Sequence, residues 1–247
     1  MSDELQGKHQ PMEGIDAGAQ AAAPLGSYTP GCGAEHGLRE GACADGDDSR
    51  DTRPDRATRY VETALGILSY SELAPHLAER VAKVEAALLA EEFSARVLDE
   101  HLLLDIHDRL CGDLTPNWAG RLREIAVTVG PLTPPPPHQL PVLMRDYGLD
   151  LQARWVEASG PDLDLTFEFL AFAEGRFLMI HPFRDFNGRT IRVFLLELLR
   201  RLDFPRVELA PQTEEGRAHY FAALEAADHH DWQPLITLWK DRFTSVS

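Results

Sequence analysis

The chain is short of cysteine, of basic residues and of long apolar runs. Three cysteines in 247 residues, Cys32, Cys43 and Cys111, make an odd and scattered set. They exclude a disulfide framework and point to a reduced setting. Lys and Arg number 24 against 40 Asp and Glu, a formal net charge of −16. Like charge repels duplex nucleic acid and anionic bilayers at long range, so neither is an expected partner. A small polyphosphate stays open, because a local basic cluster suffices to hold one. No apolar stretch approaches the roughly 18 residues of a membrane span. The start, MSDELQGKHQ, has neither the basic n-region nor the apolar core of a secretory leader. A cytoplasmic location is therefore the expectation, with export as an effector left open.

Large apolar residues are also scarce in the first 55 positions. GIDAGAQAAAPLGSYTPGCGAEHGLREGACADGDDSRD shows no sustained period of 3.6 or 2 and offers little to bury. Residues 1–55 are expected to be a disordered, low-complexity tail, and Cys32, His36 and Cys43 within it are too few and too irregular for a metal site. The remainder, 56–247, has the apolar content of one domain. Helical spacing runs through RYVETALGILSY, ELAPHLAERVAKVEAALLAEEF, LDEHLLLDIHDRL, HQLPVLMRDYGLDLQARWVEA, DLTFEFLAFAEGRFLMI, TIRVFLLELLRRL, TEEGRAHYFAALEAA and PLITLWKDRF. One segment differs. Ile125-Ala126-Val127-Thr128-Val129 alternates and is followed by Gly130 and by Pro134 to Pro137, which predicts a short β-hairpin or extended flap. The fold class is all-α with a small hairpin.

The segment richest in chemistry is HPFRDFNGRTIR, residues 181–192. A helix ending near Ile180 meets a turn, and a second helix begins near Asn187 or Gly188. The loop thus delivers backbone N–H groups at a helix N-terminus, a natural cradle for phosphate. Arg189 and Arg192, three apart, share one face of that helix's first turn and form an anion clamp. Asp185 suits a cation such as Mg²⁺, which takes one or two carboxylates and fills its other positions with phosphate oxygens and water. His181 is placed to accept a proton from an attacking hydroxyl. Base, metal ligand and anion clamp together make an inventory for phosphoryl or nucleotidyl transfer. Taken singly, each of these residues also fits ordinary capping, turn or ion-pair roles. His229, His230 and Asp231 read as a solvated turn, and Trp118, Trp232 and Trp239 as packing residues.

This segment closely resembles the signature of the Fic (Fic/Doc, Fido) family, His-Pro-Phe-x-Asp/Glu-Gly-Asn-Gly/Lys-Arg-x-x-Arg, at every fixed position but one. LLLDIHDRLCGD, NWAGRLRE, IAVTVG, the proline run and VLMRDY are similar to the family's helix, WAG-x-hR segment and flap, so the resemblance spans most of residues 60–240. It implies a helical core with a β-hairpin flap. It also implies a protein adenylyltransferase that moves AMP from Mg-ATP to a Ser, Thr or Tyr hydroxyl of a target protein. On matching positions, His181 would be the general base and Asp185 the Mg²⁺ ligand. Asn187, Gly188 and Arg189 would form the anion hole, and Arg192 would steady the terminal phosphate. Residues 125–129 would dock the target backbone as an added strand. Phe186, counted with Asn187, Gly188, Arg189 and Arg192 as nucleotide-binding, is the departure, standing where the family usually has glycine; a negative φ would let its ring point outward. Alternatives are transfer of another nucleotide or of phosphate, removal of AMP, or a catalytically silent binding module. The family's inhibitory helix, Ser/Thr-x-x-x-Glu-Gly/Asn, resembles Thr58-Arg-Tyr-Val-Glu62-Thr63 except at its last position. Glu62 would then pair with Arg192, or an antitoxin-like partner would take that part.

Overall fold

A computed structural model describes residues 60–130 and 132–244. The expected tail lies outside these residues, as do Thr58 and Arg59. The described chain opens with a hairpin of β1 (Tyr60–Thr63) and β2 (Gly66–Ser69), followed by α1 (Tyr70–Leu89). Then come α2 (Glu100–Cys111), a 3₁₀ turn at Pro137–Gln139, and α3 (Leu140–Ala158). The core continues with α4 (Leu163–Ile180) and α5 (Asn187–Arg201), and α6 (Glu214–Asp228) and α7 (Gln233–Thr244) complete it. The all-α core with one two-stranded sheet agrees with the expected fold class.

The hairpin's location does not agree. RYVETALGILSY, expected to be helical, forms β1 and β2 with Val61 opposite Leu68 and Thr63 opposite Gly66. Val61, Leu65 and Leu68 fall at i, i+4 and i+7, which imitates a helical stripe. Local turn chemistry overrides it. Gly66 holds φ +111°, open to glycine and strained for other residues. The Thr63 hydroxyl donates to Gly66 O (2.8 Å) and accepts from Leu65 N–H (3.1 Å), closing the loop. Ser69 then caps α1 in a capping box: its hydroxyl accepts from Glu72 N–H, and the Glu72 carboxylate accepts from Ser69 N–H (2.8 Å).

The expected flap hairpin is reduced to a single antiparallel bridge, Val129 with Leu132, with reciprocal N–H···O bonds of 3.0 Å. Ile125 to Thr128 form no strand. Prolines 134 to 137 supply no ladder donors, so nothing extends the pairing past the bridge.

Helix α4 sits at the centre, against α3, α5, α6 and α7. It is apolar nearly all round, as a helix enclosed on every side must be. Helix α5 packs on α1, α2 and α4, which brings its N-terminus beside the start of α1. Two apolar clusters result. The larger joins the C-terminal half of α1 to α2 through α7. The smaller gathers Val61, Leu73, Leu77, Cys111, Leu114, Ala119 and Phe186. No helix among the described residues is long and apolar enough to cross a membrane.

Candidate active site

His181 ends α4 in the left-handed conformation, φ 49° and ψ 61°. Its N–H donates to Phe177 O (2.9 Å), and this terminal turn aims the chain back across the top of α4. Phe183 follows, fully buried, its ring stacked flat on His107 of α2 with centroids 3.9 Å apart and planes within 6°. Asn187 closes the loop from the other side: its side-chain amide donates to Phe183 O (2.9 Å) and accepts from Phe183 N–H (2.9 Å). The expected anion-hole role of Asn187 is thereby narrowed. The side chain is committed to the loop, and its backbone N–H is what an anion can use.

Phe186 does not meet the condition for an outward ring. Its φ is +59°, in the left-handed region, and its ring points inward with 3% exposure. Trp118 lies 5.5 Å and Tyr70 6.4 Å away between ring centroids. The position thus keeps the backbone conformation that glycine takes freely while adding a core side chain. A phenyl group offers no capping acceptor, and α5 has no side-chain N-cap bond. Phe186 O accepts from the N–H groups of Arg189 (3.1 Å) and Thr190 (3.0 Å). The first-turn amides of Asn187 and Gly188 are those for which a helix supplies no acceptor. A Cβ built on Gly188 would meet nothing within 4 Å, so the space on that side of the helix start is open.

The cations flank that helix start. Burial holds the Arg189 guanidinium below its ordinary pKa, nearby Arg192 acts in the same direction, and Tyr70 and Asp185 oppose. Arg189 stays charged, but it is desolvated, which strengthens its attraction for an anion. It also sits 5.9 Å over the Phe186 ring. Asp185 lies in the same loop. Its Oδ1 accepts from Phe186 N–H (2.8 Å), its Oδ2 from the Tyr70 hydroxyl, and its backbone carbonyl faces His107 Nε2 (3.2 Å). No group of three or more His, Cys, Asp or Glu able to hold a metal occurs among the described residues. The donor set therefore fits a cation that arrives with phosphate oxygens, not one caged by protein alone.

Three residues that the sequence reading left without a role organise the site. His107 is fully buried, and burial pulls its pKa down to about 4. Its Nδ1 accepts from Gly120 N–H (2.9 Å), so the proton of the neutral ring is on Nε2, which donates to Asp185 O. Arg123 bridges flap and loop. Its Nε donates to His181 O (2.8 Å), one terminal nitrogen to Ile125 O (2.9 Å), the other to Pro135 O (2.6 Å). Its own N–H donates to Pro182 O (2.9 Å), and burial holds its pKa below the ordinary value. Tyr70 opens α1. The S-x-x-E capping signature at Ser69 places that helix start, and the apolar stripe of α2 buries the face carrying His107. Arg123 is the arginine that closes the WAG-x-hR segment, and its role follows from these bonds.

Glu62 does not lie on a helix. It is an exposed residue of β1 and lines a cavity of about 190 Å³ with Thr115, Asn117, Trp118, Arg184 and Asp185. The expected flap residues Ile125, Ala126 and Thr128 are exposed, and Val127 and Val129 half-buried. His229 and His230 fall in an exposed turn after α6, as the sequence suggests.

Comparison with known proteins agrees with this geometry. The model of the Fic/DOC family matches residues 97–199. A protein adenylyltransferase Fic from Nematostella vectensis is 31% identical over 185 residues, 75% of this chain and 40% of that protein. Protein adenylyltransferase fic-1 from Caenorhabditis elegans is 31% identical over 153 residues, 62% of this chain and 28% of that protein. The chain thus spans less than half the length of these curated relatives. The crystal structure of the Bartonella tribocorum BepC protein with bound AMPPNP superposes with a TM-score of 0.58 at 21% identity, covering 76% of this chain and 93% of that one. The loop from His181 to Arg192, α4, all but the last two residues of α5 and the buried His107 fall inside the matched segment, and residues 97–199 form a Fic/DOC family domain.

Proposed function

We propose that the chain transfers AMP from Mg-ATP to a Ser, Thr or Tyr hydroxyl of a target protein. The observation that carries this reading is the fixed loop between α4 and α5. It holds a histidine, a carboxylate, first-turn amides and two arginines within twelve residues, braced by His107, Asn187 and Arg123. The phosphates are taken by the Asn187 and Gly188 amides with Arg189, and Arg192 steadies the far end of the chain. His181 accepts the proton of the target hydroxyl as its oxygen bonds to the α-phosphorus. The bond from that phosphorus to the α,β-bridging oxygen breaks, and pyrophosphate leaves. Asp185 would hold the Mg²⁺ that accompanies the nucleotide, and the ion supplies charge neutralisation for the leaving diphosphate. Developing charge is thus met by fixed donors in a partly desolvated site. The flap, tied by Arg123 to His181 O, is the surface on which the target chain docks, through its exposed backbone between Ile125 and Thr128.

Phe186 favours a second reading of the payload, since its buried ring lies 5.9 Å under Arg189, where the family's glycine offers no side chain. Calorimetry with Mg-ATP and labelling of extract proteins with ATP radiolabelled at the α- or γ-phosphate separate the two. The proposal expects label from the α-phosphate alone, and His181→Ala to bind ATP as wild type does while losing transfer. Label from the γ-phosphate alone would assign phosphate transfer. ATP binding without any label would leave a binding module.

A further inference from the structure

Resting on that reading, we propose that Tyr70 is a positioning residue for Asp185, one that fixes the carboxylate for a cation bound together with the nucleotide. The two residues are 115 positions apart in sequence, yet the Tyr70 hydroxyl donates to Asp185 Oδ2. Nothing local to the loop requires this contact. It is built by the N-terminal part of the domain: the β1–β2 hairpin leads into the Ser69–Glu72 capping box, which sets the first turn of α1 and with it Tyr70. The ring is then seated against Phe186, 6.4 Å between centroids at 56°. Phe186 in turn belongs to the same apolar cluster as Val61, Leu73 and Leu77. The residue that departs from the family pattern is therefore the one that anchors this tyrosine beside the loop.

The consequence for Asp185 is a fixed rotamer. Oδ1 accepts from Phe186 N–H (2.8 Å), Oδ2 accepts from Tyr70, and the Asp185 backbone carbonyl accepts from His107 Nε2–H (3.2 Å). A carboxylate offers about four lone-pair positions, so donors on its flanks and a cation are compatible partners. A site with few protein ligands gains most from such support, because no group of three or more such ligands among the described residues shares the task of orienting the ion. Outer hydrogen-bond partners of ligating groups are typically worth roughly 10–100-fold in metal affinity.

The test uses the full chain, Mn²⁺ as the probe and electron paramagnetic resonance to count free ion in the presence of a non-hydrolysable ATP analogue. Wild type, Tyr70→Phe, Asp185→Asn and the double variant are compared, with folding checked by circular dichroism and analogue affinity in EDTA measured alongside. Tyr70→Phe keeps the ring against Phe186 and removes only the donor. It is expected to weaken Mn²⁺ binding about tenfold, leave analogue affinity in EDTA unchanged, and have no further effect in the Asp185→Asn background. Mn²⁺ binding by Tyr70→Phe that equals or exceeds wild type overturns the proposal while leaving the functional reading in place. So does a further loss in the double variant, which would mark a role in the fold alone. Failure of wild type to bind Mn²⁺ with the analogue removes both.

Discussion

Replacing Phe186 by glycine sets two terms of opposite sign against each other. The ring is 3% exposed and packs with Val61, Leu73, Leu77 and Leu114, so its removal opens a void between the hairpin, α1 and α2. Truncating a core phenylalanine to alanine costs about 3–5 kcal/mol. The backbone at φ +59° works the other way. A residue with a Cβ held in the left-handed region carries roughly 1–2 kcal/mol of strain, which glycine relieves. The greater freedom of glycine in the unfolded chain returns about 0.5–1 kcal/mol of that gain. The balance is a loss of about 2–4 kcal/mol. For a domain of this size that lowers Tm by about 4–16 °C, at roughly 2–4 °C per kcal/mol. Phe186→Ala loses the ring and retains the strain, so it should be less stable than Phe186→Gly by about 1 kcal/mol, the reverse of the usual order inside a helix. Thermal and urea unfolding of the three proteins measures both differences. A Phe186→Gly protein as stable as wild type would refute the account of the ring as a core residue. An alanine variant more stable than the glycine variant would refute the strained backbone.

Arg123→Met removes the ties to His181 O, Ile125 O and Pro135 O while keeping an apolar stem. It should speed limited proteolysis between residues 121 and 136 and lower kcat/KM for a protein target by at least tenfold, with ATP affinity unchanged. His107 predicts a pH dependence of stability. Its folded pKa, pulled down from 6.5 to about 4, means that the unfolded chain binds the extra proton between those values. Stability is therefore fully present above about pH 6.5 and falls by about 3 kcal/mol as the pH drops to 4, a slope that His107→Gln should flatten in urea titrations. Burial pushes the Cys111 thiol up to about 12, so it should resist iodoacetamide in the native protein and react on unfolding, read by peptide mass spectrometry. Alkylation of native Cys111 would place it at the surface.

Much of this architecture is legible from spacing. The helices from α2 to α7 carry apolar residues at helical intervals, and the loop at 181–192 lies between two of them, so its position at a helix N-terminus follows from the sequence. The hairpin is misread because Val61, Leu65 and Leu68 satisfy a helical interval, while the feature that decides, φ at Gly66, is a property of one backbone bond. The backbone of Phe186 is hidden for a related reason. Residue type favours a negative φ, and the burial that outweighs this comes from α1 and α2, distant in sequence. Tyr70 and His107 belong to the site through contacts 115 and 78 positions away, which no local pattern encodes, and Arg123, though marked by the WAG-x-hR segment, reaches His181 O across 58 positions.

The most direct test of AMP transfer is mass spectrometry of peptides from extract proteins incubated with the chain and Mg-ATP, half of the ATP carrying heavy isotopes in its adenine ring. The account predicts paired peptides on a Ser, Thr or Tyr, separated by the adenine label and absent with His181→Ala. Peptides that gain phosphate without the adenine pair, or no modified peptide at all, would contradict it.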